Sequence, residues 1–357
     1  MHVRVPMMVL VSVLASSAMA VVPGCESGAA QIDPGAGPSA RGAASLDPVE
    51  RSRLREAAIE ALLAFAASED AQVRANAVEG LIPVGARLEP VLPAALADLN
   101  AGVRTVGAMA VGKAEIRSMT GAVSPLLNDE SPFVRAAAIY ALRACGESVD
   151  PTPLGAMVTR DPSPRVRAHA AYVIGELGDK GSTALLRDAA NQSVARASAV
   201  EMKVLQVQIA EALVKLDDEE QLHTLRAALF PSTPEELDAT VLAVQVLGAQ
   251  KDRPSEGQLR NLVATRDPFG NPMPLEVRLA AAGALGSMGV ADYEPVAAEA
   301  LGATGEPQRI QAAWALGEIA TPTAVRRLEG QLSDPSERVR VAVAASLLRA
   351  VEPSRSR

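Results

Sequence analysis

Apolar side chains recur along most of this chain with the spacing of one helical face, and the whole pattern repeats about every 31 residues. The copies align on a Val-Arg pair, and the residues four, five and eight positions later are mostly Ala, Ile, Val or Leu. This spacing predicts one helix per copy. The alignment residues are Val73, Val103, Val134, Val166, Leu205, Ala239, Val277, Gln308 and Val339.

A second, shorter helix is predicted before each of these helices. Its pattern is clear in 181–190, 221–229, 257–266 and 323–332. An Asp, in several copies followed by Pro, stands in the turn between the two helices, where it favours a helix start. The sequence therefore predicts an all-α fold in which residues 47–351 form an α-solenoid, or superhelix, of about nine helix pairs. With about 8–10 Å between neighbouring helices, we expect an elongated arc of roughly 90 Å whose terminal helices, near 48–66 and 336–350, act as caps.

The consensus of these copies, D-P-x-x-x-V-R-x-x-A-A-x-x-L-G, resembles the HEAT-repeat family, and more closely its short bacterial branch related to phycobilin-lyase repeats. Members serve as scaffolds, adaptors, lyases or hydroxylases. The resemblance implies that the Arg after each Val pairs with the turn Asp of its own or the next repeat and forms a structural ladder. The residues of this ladder are Arg74, Arg104, Arg135, Arg167, Arg278, Arg309, Arg340, Asp98, Asp129, Asp161 and Asp334.

Two repeats in the middle of the chain are irregular. Gln206 and Thr240 replace the ladder Arg there, and extra residues occur near 191–203 and 267–276. Long loops on a repeat scaffold can carry function, although tolerated insertions are the commoner cause.

The amino terminus has the pattern of an export signal over residues 1–24, with Arg4 before an almost wholly apolar run. Val22-Pro23-Gly24-Cys25 resembles a bacterial lipobox, although Pro23 departs from it, and implies lipid attachment at Cys25. Residues 25–46 are rich in Gly, Ala, Pro and Ser and predict a flexible linker. Residues 352–357 are predicted to be a disordered tail.

Other fates of the signal remain open. Ala18-Met19-Ala20 fits a cleavage site after Ala20, which would release a soluble protein. An uncleaved anchor is a third route. The lipobox predicts a membrane-anchored lipoprotein at a bacterial envelope, on its periplasmic side or at the cell surface.

Composition argues against several kinds of chemistry. The formal net charge of −8 disfavours nucleic-acid binding, which requires a basic face. Three His and two Cys, with no H-E-x-x-H or C-x-x-C motif, predict neither a metal site nor a cofactor. The resemblance adds that hydroxylases of this fold bind iron through His-Glu pairs, which this chain lacks. No catalytic residues are predicted.

The rare aromatic residues share one repeat position. Of three Tyr and one Trp, three lie six residues after the alignment residue: Tyr140, Tyr172 and Trp314. Glu211 occupies the same position, and Glu176 and Glu318 lie one helical turn after Tyr172 and Trp314. Two interpretations fit this pattern. These residues form a binding stripe on the concave surface, or the aromatic rings simply cover Ala-rich helices.

The sequence favours a non-enzymatic scaffold or adaptor that binds a protein partner of unknown identity. The alternative implied by the resemblance is a lyase-like enzyme acting on a chromophore or small ligand. A third possibility is an envelope spacer without a specific partner.

Overall fold

The computed structural model describes residues 46–266 and 270–352, and the regular elements of these residues are helices joined by short turns. One isolated bridge, between Arg266 and Pro272, is the exception within this part of the chain. The α-helices are α1 Pro48–Phe65, α2 Ala71–Gly80, α3 Gly85–Leu88, α4 Leu92–Leu96, α5 Ala101–Ala114, α6 Thr120–Val123, α7 Pro132–Ala144, α8 Thr152–Arg160, α9 Pro164–Leu177, α10 Thr183–Ala190, α11 Ala199–Lys215, α12 Leu222–Ala227, α13 Leu237–Ala249, α14 Glu256–Ala264, α15 Leu275–Ser287, α16 Glu294–Ala300, α17 Glu306–Ile319, α18 Pro322–Gly330 and α19 Glu337–Val351.

Nine of these helices carry the Val-Arg pattern, and we call them the inner helices; the elements that precede each of them are the outer helices. The inner helices are α2, α5, α7, α9, α11, α13, α15, α17 and α19. The turn aspartates expected to start these helices lie two residues before the cap position and accept the backbone N–H of the cap residue, as Asp129 does from Ser131. The side chains of Asp70 and Asn100 cap α2 and α5, and Ser198 forms a capping box with Glu201 at α11. The all-α solenoid of about nine helix pairs is thus confirmed.

Prolines break the outer helices of the second and third repeats. Ile82–Val84 and Glu89–Val91 are 3-10 turns on either side of the short helix α3, and Ser124–Asn128 follows α6 as another. Each of these turns contains a Pro near its start, which lacks the N–H that a continuous helix needs. These repeats therefore present short, stepped outer segments to solvent.

The first and last repeats pack against each other, so the nine repeats close into a ring. The last inner helix, α19, contacts both α1 and α2, while each other inner helix contacts the next one along the chain. The expected elongated arc with two solvated caps is therefore wrong. The apolar faces of α1 and α19 do not end the stack but bury each other, with Leu62, Leu347 and Leu348 in one continuous core.

Ion pairs and hydrogen bonds join the two ends at the junction of repeats nine and one, which we call the seam. The first helix supplies two of these contacts, through Arg53 and Arg55. Helices α2 and α19 approach closely at Gly80, where an added Cβ would lie 2.9 Å from the Cβ of Ala345. The polar contacts are Arg53 Nη2 to Glu329 Oε1 (2.8 Å), Arg55 Nε to Glu352 Oε1 (2.6 Å), Arg338 Nε to Asp70 Oδ2 (2.7 Å) and Ser68 Oγ donating to Glu337 Oε2 (3.0 Å).

Three ladder arginines pair with the turn aspartate of the next repeat. Arg104 is typical, since its Nε and Nη2 donate to the two carboxylate oxygens of Asp129 at 2.8 and 2.9 Å. Such two-point pairs fix the relative orientation of neighbouring repeats. The other two pairs are Arg74 with Asp98 and Arg309 with Asp334.

The remaining ladder arginines bond to backbone oxygens within the described residues. Arg135, Arg167 and Arg340 donate to carbonyls of the turn that precedes their own helix. Arg278 donates to the carbonyl of Val263. Asp161 accepts from the backbone N–H of Ser163 and caps a turn. For these residues the ladder expectation needs correction, because the guanidinium holds the turn and not a neighbouring carboxylate.

A second ladder spans repeats five to seven, and Gln206 and Thr240 replace the usual arginine in the first two of these repeats. Here an arginine of the outer helix pairs with an Asp that follows the inner helix of the same repeat. The pairs are Arg187 with Asp218 (2.8 Å), Arg226 with Asp252 (2.9 and 2.5 Å) and Arg260 with Asp292 (3.1 Å).

Several predicted segments lie outside the described residues. These are the signal over 1–24, Cys25, nearly all of the linker 25–46, most of the tail 352–357 and residues 267–269 of the loop 267–276. Within the described part, no helix is both long and apolar enough to cross a bilayer.

Candidate functional site

The positions three, six and ten residues after each alignment residue face the middle of the ring, and we call this region the ring interior. Contacts that skip a repeat identify it. Lys113 of the second repeat reaches Glu176 of the fourth, and the carboxylate of Glu79 in the first repeat interacts with Tyr172 of the fourth. The predicted stripe residues Tyr140, Tyr172, Trp314, Glu176, Glu211 and Glu318 all occupy these positions.

The three aromatic residues of the predicted stripe are buried and do not form an exposed surface. Tyr140, Tyr172 and Trp314 retain 6%, 1% and 5% of their accessible area. Closure of the ring is the physical reason, since it removes the open concave face on which an exposed stripe depends.

Glu176 lies at the centre of a buried group of charges, which we call the central cluster: Lys113, Glu176, Glu211 and Lys215. Lys113 donates to one oxygen of Glu176, and Lys215 donates to the other at 2.6 Å. Lys215 also contacts Glu211 at 2.5 Å, and Gln208 donates to Glu211. Two cations and two carboxylates therefore neutralise each other inside the protein.

The electrostatic consequences of this pairing are strong. Burial alone would raise the pKa of Glu176, but Lys215 and Lys113 outweigh it and lower the pKa to about 2. Burial and the neighbouring Lys215 lower the pKa of Lys113, against the attraction of Glu176. For Lys215, burial is outweighed by Glu176 and Glu211, which raise its pKa. Glu176 is thus held ionised between two ammonium groups.

The ring of Tyr172 packs under the same lysines. Lys215 Nζ lies 4.3 Å and Lys113 Nζ 5.4 Å from the ring centroid, a cation–π arrangement. Burial, followed by the charges of Glu176 and Glu211, raises the pKa of Tyr172 well above its ordinary value. The phenol is therefore neutral, and its oxygen has no hydrogen-bond partner among the described residues.

Trp314 fills the opposite part of the ring interior by covering a glycine. A Cβ on Gly283 of the preceding repeat would lie 2.4 Å from the indole Cζ3, so the absence of a side chain there makes room for the ring. One turn after Trp314, Glu318 accepts from Arg349 Nη1 at 3.2 Å. These contacts join the seventh, eighth and ninth repeats in the ring interior.

Glu79 differs from the other interior carboxylates because it forms no ion pair within the described residues. Its Oε1 is buried without a hydrogen-bond partner. Burial raises its pKa to about 7, although Arg349 and Lys113 act in the opposite direction. Burial therefore favours the neutral form of the Glu79 carboxyl group.

The remaining candidate chemistry is structural in character. His169 is buried and donates from Nε2 to the carbonyl oxygen of Phe133 over 3.1 Å, and burial lowers its pKa to about 4. Burial raises the pKa of the Cys145 thiol. Among the described residues, no three His, Cys, Asp or Glu side chains come together in a way that could hold a metal ion.

Sequence reasoning missed Lys113, Lys215, Glu79 and Arg349 as residues of the interior. The signal was present, because Glu79 shares the repeat position of the aromatic residues and the three cations lie ten positions after their alignment residues. Which interior residues pair could not be read from the repeat, since the pairs connect repeats that are not neighbours in the chain.

Comparison with known proteins agrees with this architecture. The family model for HEAT repeats matches residues 122–203 and 271–349. No curated protein matches the chain.

Several solved structures resemble it at low sequence identity. Human deoxyhypusine hydroxylase in complex with glycerol is 18% identical, with 84% of this chain and 98% of that chain covered and a TM-score of 0.36. The complex of CpcE and CpcF of phycocyanin lyase from Nostoc sp. PCC7120 is 19% identical, with 89% and 100% covered and a TM-score of 0.32. At these values the likeness supports no conclusion about activity or partners. The matched segments contain HEAT repeats, and together with the nine stacked helix pairs they show an all-α, HEAT-repeat, solenoid-like fold.

Proposed function

We propose that this protein is a non-enzymatic scaffold that binds another protein, exported and tethered to an envelope membrane through a lipid on Cys25. HEAT repeats typically build protein-binding scaffolds. The observation that carries the proposal is that paired charges and buried aromatic rings fill the ring interior. A partner would therefore bind to the outer helices or to one of the two rims of the ring.

The rim formed by the turns between outer and inner helices is the surface we favour for binding. Leu99 and Phe230 lie in such turns of the second and sixth repeats, and both are highly exposed, at 101% and 63%. All these turns lie on the same side of the ring, because the repeats stack in parallel. Aromatic side chains such as Phe230 are enriched in protein interfaces, and charged residues are depleted at the core of such interfaces.

The proposed tether would leave this rim free to meet a partner. About 20 residues separate Cys25 from the first helix, and a flexible chain of that length spans roughly 25 Å. The ring would therefore stand off the membrane without a fixed orientation. The net charge of −8 on the whole chain would disfavour close contact with an anionic lipid surface.

The proposal is tested by crosslinking in the native cell, followed by purification of the protein from membranes. We expect a defined partner to be recovered with the wild-type chain, and recovery to fall at least about tenfold for the Leu99→Ser, Phe230→Ser double variant. Val49→Ser is the matched control, because Val49 is 75% exposed but lies at the start of α1, on the opposite rim. Equal recovery of the partner with both variants would contradict the rim as the binding surface.

The same preparation tests the tether by intact-mass analysis. We expect a mature chain that begins at Cys25 and carries a diacylglyceryl group. A chain that begins at Val21 would contradict the lipid anchor. A bound pigment, visible in the absorbance spectrum, would favour the lyase-like alternative.

A further inference from the structure

The ladder builds the same binding site for a carboxylate several times, and three copies are filled from within the chain. In each filled copy the arginine uses Nη1 to hold carbonyl oxygens of its own turn, while Nε and Nη2 donate to the two oxygens of an Asp in the next repeat. That Asp follows the arginine by 24 or 25 residues. A guanidinium held in this way matches the two oxygens of a planar carboxylate, and we call the arrangement the carboxylate site.

The fourth repeat has the arginine of a carboxylate site without its acid. Gln192 stands 25 residues after Arg167, where the filled copies have Asp. Its amide oxygen accepts from Arg167 Nη1 over a long 3.3 Å, and Arg167 Nε donates to the carbonyl oxygen of Asp161 at 2.7 Å. Arg167 Nη2 donates to none of the described residues and is not fully buried. The donor that binds a carboxylate in the filled copies is therefore open to a ligand.

The charge of Arg167 is enclosed by neutral groups. At 8% exposure it is the most buried arginine in the part of the chain that the structure describes. Its hydrogen bonds go to a backbone carbonyl and a side-chain amide, and no carboxylate of the described residues forms an ion pair with it. A buried cation that lacks its partner is unfavourable, so a carboxylate from outside the chain would supply the missing counter-charge.

The rim around this site is rich in cations. Arg160 ends α8, Arg196 lies in the longer turn before α11, and Lys203 lies near the start of α11. Arg196 is exposed and has a φ of 66°, a left-handed conformation that residues other than glycine adopt at a cost. The carboxylates of Asp161 and Glu201 accept from backbone N–H groups of their own turns. Although the whole chain has a net charge of −8, this stretch of rim attracts acidic groups.

We propose that Arg167 is a docking point for an acidic side chain of a protein partner, whose carboxylate takes the place of the Asp that the fifth repeat lacks. The site lies on the rim that carries Leu99 and Phe230, in a repeat between theirs, so a partner that covers both would cross it. Gln192 is partly exposed, and the incoming carboxylate replaces its long hydrogen bond. The proposal rests on the proposed scaffold function and names the chemistry that the partner must present.

The substitution Gln192→Asp tests the site without a partner, because it supplies the missing acid from within the chain. We expect it to form a fourth two-point pair and to raise Tm by about 2 °C, measured by calorimetry. Gln192→Asn, which shortens the amide without adding charge, should not raise Tm. Gln250→Glu adds the same charge after α13 on the opposite rim and should not raise it either.

A peptide of six glutamates, labelled with fluorescein, tests binding directly by fluorescence anisotropy at low salt. The wild-type chain should bind it, and the same peptide with Gln in place of Glu should not bind. Gln192→Asp should weaken binding at least about tenfold, whereas Gln250→Glu, with the same net charge, should weaken it about twofold or less. In the crosslinking experiment, Gln192→Asp should likewise lower recovery of the partner and Gln250→Glu should not.

The outcomes separate this site from the scaffold function. The site is overturned if Gln192→Asp leaves Tm or glutamate-peptide binding unchanged, if Gln250→Glu weakens binding as much, or if inorganic phosphate displaces the peptide more strongly than glutarate does. Recovery of a partner in any of these cases leaves the scaffold function standing. If the wild-type chain recovers no partner while the peptide still responds to Gln192→Asp, the scaffold function fails and the carboxylate site stands.

Discussion

Replacing Glu176 by Gln is expected to lower the free energy of unfolding by about 3–5 kcal/mol, among the largest effects of any single substitution in this chain. The substitution keeps the size of the side chain but removes the negative charge between Lys113 and Lys215. Both ammonium groups are nearly buried, at 13% and 5% exposure, and would repel each other without their shared partner. Urea denaturation followed by circular dichroism measures the change.

Two further variants show whether the charge is responsible. Glu60→Gln, on the exposed face of α1, should change stability by no more than about 0.5 kcal/mol. Replacing Lys113 and Lys215 by Met together with Glu176→Leu and Glu211→Gln should recover most of the loss, because uncharged groups of similar volume can substitute for a buried ionic network. A loss below about 1 kcal/mol for Glu176→Gln would mean that water reaches the central cluster.

The central cluster also sets the behaviour of the protein in acid. The pKa of Glu176 is lowered from 4.5 to about 2, so its contribution is present above pH 4.5 and is lost as the pH falls through about 2. Glu79 has the opposite sign, because burial raises its pKa to about 7 and its contribution is lost as the pH rises. Of these two carboxyl groups, only Glu79 contributes a pH dependence between pH 4.5 and neutrality, because Glu176 stays ionised there.

Replacing Trp314 by Ala is expected to cost about 3–5 kcal/mol of stability. Trp314 is only 5% exposed, and its indole occupies the space that Gly283 leaves open. Its removal creates a cavity in the ring interior that the rigid helices around it cannot fill. Thermal and urea denaturation measure the loss.

The matched experiment fills the cavity from the other side. Gly283→Leu alone should destabilise the ring, because even a Cβ there would lie 2.4 Å from the indole. Combined with Trp314→Ala, it should restore part of the stability lost, which a double-mutant cycle detects. If Trp314→Ala left stability unchanged but abolished partner recovery, the aromatic residues would be an accessible binding stripe and their burial would be in error.

The helices were predictable because their signals are local. In each repeat the turn residues lie just before the helix, and the apolar residues follow Val73, Val166 or the equivalent residue at the same spacing. The broken outer helices were harder to predict, although Pro83 and Pro125 carry the signal.

Ring closure was not predictable from the repeat, because it depends on the small rotation that each repeat adds to the last. Nine such rotations bring Asp70 to Arg338, although 268 positions separate them in the chain. The burial and the pairing of the interior residues depend on this ring closure. The repeat position that holds Tyr172 and Trp314 was identified correctly, but whether that position is exposed depends on whether the ring closes. The pairs Lys113–Glu176 and Arg349–Glu318 could not be inferred without knowing which repeats face each other.

The central claim is that the first and last repeats contact each other, and chemical crosslinking tests it most directly. In the full chain with Cys25→Ser and Cys145→Ala, Arg53→Cys and Glu329→Cys replace two side chains whose charged atoms lie 2.8 Å apart. A bis-maleimide with a reach of about 10 Å, comparable to the spacing of two packed helices, should join them within one molecule, and mass spectrometry should find the linked peptides. Arg53→Cys with Thr152→Cys should remain unlinked. If the seam pair crosslinks only between molecules, or not at all, the chain is an open arc and the ring is contradicted.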